Sequence, residues 1–335
     1  MYDIPKKRIV LIFAGILFLL LIAVGTGVGL YVVKPATENG EYQVVIIREG
    51  MSLKDAAGRL EDKGVITRKT LFLLWARVLG YGRRIKAGEY RLSAGMAPIR
   101  IMDILRRGLV ITHPVTIPEG FSIKQIAELL AENKMINAGN FLAMTRDPAV
   151  LKKYGISGPT LEGYLYPDTY HFAMGLSPVS ILDAMIKRFR QIIEPLKARI
   201  GILDMTLDDV ITLASIVEKE TGKAEERPLI ASVFLNRLKR GMRLESDPTV
   251  IYGIEEFNGN LTKDDLAEPT SYNTYIIRGL PPGPIANPGL ESIKAVLYPA
   301  KTDYLFFVSR NDGSHQFSKT LKEHNRAVRM YQKKR

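Results

Sequence analysis

Cysteine is absent from this sequence of 335 residues, and histidine occurs only four times. Without cysteine the protein has no disulfide, no thiol nucleophile and no cysteine ligand for a metal. The histidines show no HExxH-like spacing, which argues against a zinc site. No phosphate-binding or dinucleotide-binding glycine motif stands between a strand and a helix, which argues against a nucleotide-fuelled enzyme. We therefore expect neither a zinc site nor a nucleotide-fuelled reaction.

Acidic residues are fewer than basic ones, and the formal net charge is +12. Such an excess can indicate nucleic-acid binding, but much of it lies near the C-terminus without interleaved aromatic residues. A membrane surface or an anionic polymer fits this tail equally well, and a merely solvated tail is a third interpretation. The basic residues of the tail, which stand against Glu323 alone, are Lys319, Lys322, Arg326, Arg329, Lys333, Lys334 and Arg335.

One long apolar run stands at the start of the chain. Residues 9–33 carry no charge and are long enough to cross a bilayer. Three basic residues precede the run, so the positive-inside rule keeps the N-terminus in the cytoplasm. A cleaved signal peptide, the alternative, would have a shorter apolar region. We predict a cytoplasmic end at 1–8, a single membrane-spanning anchor at 9–33, a linker at 34–41 and export of everything after it. Export argues further against nucleic acid as a partner.

An internal repeat follows the anchor. Residues 45–54 match residues 115–124, and each copy has an alternating apolar strand, a Glu-Gly turn and a serine (Ser52 or Ser122) that can cap a helix. This order resembles LysM-type glycan-binding modules. We predict a duplicated LysM-like α+β module over residues 42–186, which either binds glycan or serves as a spacer between the membrane and the next domain.

Glu218 is the strongest candidate for a catalytic residue. On a helix advancing 100° per residue it falls within an apolar arc, whereas Lys219 points to the opposite side. A carboxyl group on a buried helix face is expensive to ionise and keeps its proton more readily, which suits a general acid. With a different helical phase, Glu218 and Glu220 would instead lie on a solvated edge. The arc consists of Leu207, Val210, Ile211, Ala214 and Val217.

The sequence beyond this helix is rich in proline, glycine, asparagine and tyrosine. For residues 241–253, 269–275 and 279–289 we predict stiff loops rather than ordinary helix or strand. Such loops beside an acid are typical of a polysaccharide cleft, but they are also consistent with plain irregular connections. Residues 160–170 contain three tyrosines, which we interpret mainly as half-buried strand residues. The same stretch contains Asp168, a candidate second acid.

Several segments, taken together and in this order, resemble the YceG-like endolytic murein transglycosylases. The resemblance covers nearly the whole chain, including the single anchor and the LysM-like front half. The sequences that carry it are EGYLYPDTY (162–170), ASIVEKET (214–221), SDPTVIYG (246–253), YNTY (272–275), GLPPGPI (279–285) and NPG (287–289).

The resemblance implies a lyase that acts on peptidoglycan. Its α+β catalytic domain, expected over residues 187–335 with a loop-rich cleft, would cut the β-1,4 bond between N-acetylmuramic acid and N-acetylglucosamine inside nascent strands. The cut would form a 1,6-anhydro ring and end strand elongation, and it would require no metal and no organic cofactor. The implied partners are glycan strands, the inner membrane of a bacterium and, as candidates, peptidoglycan synthases (penicillin-binding proteins). The catalytic acid and base falls on Glu218, and the expected cleft positions are Tyr252, Asn273, Tyr275 and Asn287.

Two other functions stay open. The protein could be a non-catalytic scaffold that binds glycan and recruits cell-wall synthases, in which case Glu218 has no chemical task. It could also be a muramidase, a hydrolase that needs a second carboxylate. The candidates for that second carboxylate are Asp168, Glu220 and Glu245.

Overall fold

The computed structural model describes residues 6–81 and 85–332. Within these residues the protein combines helices with three small two-stranded sheets, an α+β architecture with one long apolar helix near the N-terminus. The chain divides into two compact units. The first comprises the described residues up to His113 together with His171–Ser177, and the second comprises those of Pro114–Tyr170 and Pro178–Arg335.

The N-terminal helix α1 (Lys6–Val33) contains a stretch that is long and apolar enough to cross a membrane. This stretch, Gly15–Val33, has a mean hydropathy of 2.6, and only 6% of it is buried by the rest of the protein. The predicted anchor therefore lies in one continuous helix, and the apolar surface of its Gly15–Val33 stretch is largely exposed. Residues 1–5 of the predicted cytoplasmic end lie outside the described residues.

The first unit continues as a small α+β fold. Its two strands are antiparallel, with Val45 opposite Tyr90. Val45 is buried whereas Val44 is exposed, because successive side chains on a strand point to opposite faces. The buried face packs against the helices through Leu60, Phe72 and other apolar residues. The elements are β1 (Tyr42–Ile47), α2 (Leu53–Asp62), α3 (Lys69–Val78), β2 (Gly88–Ser93) and α4 (Pro98–Arg107).

Both copies of the sequence repeat form the strand, turn and capped helix predicted for them. Gly50 and Gly120 have φ angles of 83° and 75°, a left-handed conformation that glycine adopts without strain. Ser52 accepts a hydrogen bond from the N–H of Asp55, and Ser122 accepts one from Gln125. The helix of the first copy belongs to the first unit and that of the second copy to the second unit. The likeness to a glycan-binding module stays a prediction.

The second unit is mostly helical. One sheet pairs β3 with β4, of which His113, His171 and Phe172 are counted with the first unit. Strands β5 and β6 form an antiparallel pair near the C-terminus. Short 3₁₀ helices cover Glu194–Leu196 and Ala224–Glu226. The elements are β3 (His113–Thr116), α5 (Ile123–Glu132), α6 (Ala138–Met144), α7 (Pro148–Tyr154), β4 (Thr169–Phe172), α8 (Pro178–Ile193), α9 (Lys197–Ile200), α10 (Leu207–Glu220), α11 (Arg227–Lys239), α12 (Asp247–Gly253), α13 (Lys263–Ala267), α14 (Leu290–Leu297), β5 (Phe306–Ser309), β6 (His315–Ser318) and α15 (Leu321–Tyr331).

Helix α10 is the centre of the second unit. It begins at Thr206, whose hydroxyl accepts the N–H of Asp209 while the Asp209 carboxylate accepts the N–H of Thr206. This reciprocal capping box fixes the start of the helix. All residues from Val210 to Val217 are buried, and α11 and α14 pack against them. The helix is therefore enclosed on every side until its last turn, where Glu218 stands.

The prediction of a loop over residues 241–253 is wrong in part. Residues 247–253 form helix α12 although the segment contains proline and glycine. Pro248 occupies the first turn, where a helix has no use for a backbone N–H, and Gly253 is the last residue. By contrast, the described chain between Glu268 and Gly289 has neither helix nor strand, as predicted. The tyrosines Tyr164, Tyr166 and Tyr170 are all buried, which agrees with a structural role. The prediction that they are half-buried strand residues is otherwise wrong, since only Tyr170 lies on a strand, β4.

Candidate active site

The Glu218 side chain is held at both of its oxygens. It is only 6% exposed. Oε1 accepts a hydrogen bond from Nη2 of Arg227 at 3.1 Å, and Oε2 accepts one from the backbone N–H of Gly289 at 2.9 Å. The first donor carries a positive charge, and charge-assisted bonds of this kind fix a carboxylate strongly.

Local structure explains why these groups meet. After α10 the chain becomes extended at Thr221 and turns through a 3₁₀ helix, so that α11 begins with Arg227 beside the last turn of α10. Gly289 is the N-terminal cap of α14, where backbone N–H groups lack helical partners and the helix dipole is positive. Glu218 thus receives an arginine from one helix and a helix N-terminus from another.

A second carboxyl group, that of Glu119, lies beside this pair. Glu119 Oε2 is 3.8 Å from Nη2 of Arg227, and the side chain is 47% exposed. Burial, and then the negative charge of Glu218, raise the pKa of Glu119, while Arg227 opposes this shift. The carboxyl group also lies against Gly289: a methyl group there would meet it at about 2.0 Å. Two acids therefore share one guanidinium.

The turn that carries Glu119 is fixed to the same elements. The N–H of Gly120 donates to the carbonyl of Asn287 at 2.9 Å. Nζ of Lys219 donates to the carbonyl of Gly120 at 3.3 Å. A Cβ on Gly120 would lie 3.4 Å from Cγ of Glu218, so the turn passes close to the candidate acid. The spacing of Glu119 and Glu218 is thus set by backbone as well as by charge.

Tyr252 and Asn287, two of the predicted cleft residues, come together at a third carboxylate. Glu162 is 3% exposed and accepts hydrogen bonds from Nδ2 of Asn287 at 2.9 Å, from the Tyr252 hydroxyl at 3.1 Å and from the N–H of Ile123. Burial raises the pKa of Glu162 to about 7, and these donors oppose the shift. Asn287 is fully buried and also accepts the N–H of Leu165 at 2.9 Å. Asn287 thereby anchors the segment that leads to Gly289.

The other two predicted cleft residues, Asn273 and Tyr275, lie together near the start of α12. The Asn273 side chain is fully buried; its Nδ2 donates to the carbonyl of Glu268 at 2.8 Å and its Oδ1 accepts the N–H of Tyr275 at 2.9 Å. The Tyr275 hydroxyl donates to Asp247 at 2.6 Å. Burial, and then this bond, raise the pKa of Tyr275. Both side chains therefore hold the backbone of the loop between Glu268 and Tyr275.

With this geometry in place, the chain can be compared with known proteins. The family model described as the YceG-like family matches residues 45–330. The chain belongs to the YceG-like family.

Individual relatives agree with the family match. The chain is 34% identical over 320 residues to a protein of Bacillus subtilis named endolytic murein transglycosylase, covering 90% of this chain and 89% of that protein. It is 30% identical over 320 residues to a protein of the same name from Streptococcus pneumoniae, covering 86% of this chain and 58% of that longer protein. A crystal structure of a yceG-like protein from Listeria monocytogenes is similar with a TM-score of 0.60 and 36% identity, covering 86% of this chain and 100% of that chain. The resemblance seen in the sequence is confirmed.

The candidate second carboxylates named from the sequence have other partners in this YceG-like protein. Asp168 binds Nε of Arg188 at 2.6 Å. Glu245 binds Nη1 of Arg237 at 2.8 Å. Glu220 accepts the hydroxyl of Ser246, and burial raises its pKa to about 7.

Glu119 was not among the candidates because its Glu-Gly sequence has an ordinary explanation as a turn. The corresponding residue of the first copy, Glu49, makes a structural contact: its carboxylate accepts the N–H of Ser177 at 2.8 Å. Both copies of the repeat have a glutamate before the turn glycine, but only the second copy has its helix in the second unit. That glutamate is the signal that could have found Glu119. The repeat pattern by itself does not separate a structural glutamate from one at the candidate site.

Proposed function

We propose that this protein is a membrane-anchored endolytic murein transglycosylase. It cleaves the β-1,4 bond between N-acetylmuramic acid and the next N-acetylglucosamine within peptidoglycan strands, and it leaves a 1,6-anhydro end. The observation that carries the proposal is the Glu218 carboxyl group, nearly enclosed and held between Arg227 and the N–H of Gly289. The names of relatives that match 86% or more of the chain support it.

In the proposed reaction Glu218 serves as acid and then as base. Protonated Glu218 donates its proton to the glycosidic oxygen as the bond from that oxygen to C1 of the muramoyl residue breaks. The C6 hydroxyl of the same sugar attacks C1, and its proton passes to Glu218, which is thereby restored. Because the nucleophile belongs to the substrate, ring closure is entropically favoured and one carboxyl group can serve both steps.

Arg227 and Gly289 act on the charge that develops in the first step. When Glu218 gives up its proton, it becomes a carboxylate, and both of its oxygens already face donors. Donors that are in place before the charge appears stabilise the transition state without reorganisation. Arg227 therefore serves as an electrostatic partner of the acid.

The four predicted cleft residues are proposed to shape the cleft. Asn287 and Tyr252 tie the segment before Gly289 to Glu162. Asn273 and Tyr275 hold the loop beside α12. The proposal gives them positioning roles, because their side chains are spent on contacts within the protein.

The organisation of the chain follows from the anchor. Helix α1 spans the inner membrane of a bacterium with the N-terminus in the cytoplasm, and the rest, after the linker at 34–41, lies outside it. The LysM-like segment (42–186) binds glycan or acts as a spacer before the catalytic part (187–335), and its stretch Pro114–Tyr170 also contributes Glu119 and Glu162 to the candidate site. Peptidoglycan synthases are candidate partners.

A muramidase is the second candidate, and Glu119 is the observation that favours it. Its carboxyl group is the one that shares Arg227 with Glu218, and glycosidases that use water or an enzyme nucleophile need two carboxyl groups. The two candidates predict different product ends.

The deciding experiment analyses those ends by mass spectrometry. Uncleaved peptidoglycan strands are incubated with the full chain in detergent, with Glu218→Gln, and with Glu225→Gln, an exposed glutamate nearby, as the control. We expect internal cuts ending in anhydromuramic acid from the wild type and the control, and none from Glu218→Gln. Reducing ends would show a muramidase. If the Glu218 variant is as active as the wild type, Glu218 is not the catalytic acid. If the folded wild type is inactive, the non-catalytic scaffold is the remaining interpretation.

A further inference from the structure

Helices α1 and α3 are joined by two directed hydrogen bonds. Nε1 of Trp75 donates to the carbonyl of Val28 at 2.8 Å, and the hydroxyl of Tyr31 donates to the carbonyl of Arg68 at 2.9 Å. Each bond runs from an aromatic side chain of one helix to the backbone of the other. Helix α3 is therefore fixed at a definite height along α1.

With Ile9 at the inner edge of the hydrocarbon core, that height corresponds to the outer edge of the bilayer. The uncharged run begins at Ile9, and Val28 stands nineteen residues later, about 28 Å along an α-helix at 1.5 Å per residue. The hydrocarbon core of a bilayer is about 30 Å thick. With α1 across the membrane, the Trp75 indole reaches the boundary between hydrocarbon and headgroups. Tryptophan is enriched at that boundary.

The surface around Trp75 is apolar in one part and basic in another. On α3, Leu74 and Val78 are 45% and 65% exposed. A groove of about 540 Å³ lies between the C-terminal half of α1 and the start of α3. Its walls include Val24, Gly27 and Leu71, and Lys34 and Arg68 line it as well.

We propose that α3 lies in the outer headgroup layer and that this groove takes an anionic phospholipid. The acyl chain packs against Val24, Gly27 and Leu71, and the phosphate meets the cations Lys34 and Arg68. Two features of the groove select this occupant: one wall is the apolar helix that carries the anchor, and the lining adds two positive charges. The nearby acid Glu61 is engaged, since its carboxylate accepts the N–H of Lys69 at 2.8 Å. The inference rests on the proposed function in one respect, namely that α1 spans the membrane.

The chain offers a direct probe, because Trp75 is its only tryptophan. The full chain is reconstituted into phosphatidylcholine vesicles, and Trp75 fluorescence is measured with lipids brominated at successive acyl positions. Flotation of the same vesicles reports anchoring separately. We expect the strongest quenching from bromine near the headgroup and weak quenching by aqueous iodide. Floating protein with quenching by iodide and not by brominated lipid overturns the inference and leaves the anchor intact, whereas failure to float overturns both.

The charge of the lipid is tested in the same vesicles. Brominated phosphatidylglycerol, present as a minor component, is compared with brominated phosphatidylcholine as a quencher of Trp75. Because a cation near the membrane surface favours anionic lipid by roughly fivefold, we expect the anionic quencher to be selected by at least that factor. Lys34→Gln with Arg68→Gln should remove the preference, and Arg48→Gln with Lys54→Gln, exposed residues of the same unit, should keep it. A wild-type ratio near one, or an unchanged ratio in the first double variant, contradicts the lipid site.

Discussion

Glu119 and Glu218 both approach the same guanidinium nitrogen, with Nη2 of Arg227 3.8 Å from an oxygen of the first and 3.1 Å from an oxygen of the second. They differ in exposure, 47% against 6%. The exposed acid is thus placed to influence the enclosed one through charge. Two negative charges so close disfavour each other, and after burial the charge of Glu218 raises the pKa of Glu119.

Replacement of Glu119 by glutamine should therefore change the pH dependence of activity. The wild type carries more negative charge at Glu119 at pH 8 than at pH 5, because the pKa of this carboxyl group is raised, and glutamine carries none at either pH. A negative charge favours a site that holds a proton, so we expect kcat/KM at pH 8 to fall more than kcat/KM at pH 5, which should change less than about tenfold. The measurement is the rate of anhydro-end formation between pH 5 and 9.

The other charged or titratable groups facing Glu119 are Arg227, Glu291 and Tyr166, and Lys219 binds the adjacent carbonyl. Glu291→Gln is the matched control, because Glu291 is 58% exposed and already paired with Lys294 at 2.8 Å. An unchanged profile for Glu119→Gln contradicts the coupling. A thousandfold loss at every pH, together with reducing ends from the wild type, would instead make Glu119 the second carboxylate of a hydrolase.

Arg227→Ala should lower kcat by about a hundredfold to a thousandfold, the usual effect of removing one preorganised donor. KM should change little, because Arg227 binds Glu218 rather than the glycan in the proposed site. Arg227→Lys keeps the charge but loses the planar fork that can face two acids, so its kcat should lie between those of the wild type and the alanine variant. Steady-state kinetics with circular dichroism as a folding control checks this, and a change confined to KM would place Arg227 on the substrate.

Gly289→Ala tests the contact between Gly289 and Glu119. The backbone of Gly289 (φ −75°, ψ 170°) suits alanine, but the new methyl group would meet the Glu119 carboxyl at about 2.0 Å. Because that carboxyl is the end of a flexible, half-exposed side chain, it can move away at little cost in stability. We expect the thermal midpoint to stay near that of the wild type and the pH profile to resemble that of Glu119→Gln.

A double variant makes the Gly289 test specific. If the methyl group acts by displacing Glu119, then Gly289→Ala added to Glu119→Gln should change the pH profile no further. Additive losses would show that the methyl group disturbs the Gly289 N–H that binds Glu218, and the contact with Glu119 would then be incidental.

Sequence patterns predicted the local structure around the acid well. Periodicity placed a helix through Glu218, and the structure has α10 from Leu207 to Glu220. The exposure of Lys219 also agrees. The predicted apolar arc does not by itself explain the burial of Glu218, because α10 is buried on every side from Val210 to Val217.

The groups that enclose Glu218 could not be predicted from its own helix. Gly289 is 71 residues away along the chain and reaches Glu218 through an irregular segment. That segment is held by Asn287, whose partners Leu165 and Phe121 are 122 and 166 residues away. Contacts at such separations depend on tertiary packing, which hydrophobic periodicity does not encode. The family resemblance marked Asn287 as a cleft position, but it could not say that the side chain would be buried.

Glu220 and Glu162 should make the stability of the protein fall as pH rises. Burial raises the pKa of each carboxyl group from 4.5 to about 7, so the folded state binds the proton more tightly than the unfolded state does. Their contribution to the free energy of unfolding is therefore fully present below about pH 4.5 and is lost as the pH rises to about 7. Above that pH the free energy of unfolding no longer changes through these two groups. A shift of this size corresponds to about 3 kcal/mol for each group as an upper estimate.

Glutamine variants separate the two residues. Glu220 accepts the hydroxyl of Ser246, a bond that the amide oxygen of Gln can also accept, so Glu220→Gln should match the wild type at pH 5 and exceed it at pH 8. Glu162 accepts from Ile123, Asn287 and Tyr252, so the amide group of Gln would face donors and cost about 1–3 kcal/mol. Glu162→Gln should be less stable than the wild type even at pH 5. Thermal unfolding of the full chain in detergent at both pH values decides this, and a Glu220 variant that is no more stable than the wild type at pH 8 contradicts the assignment of the titrating group.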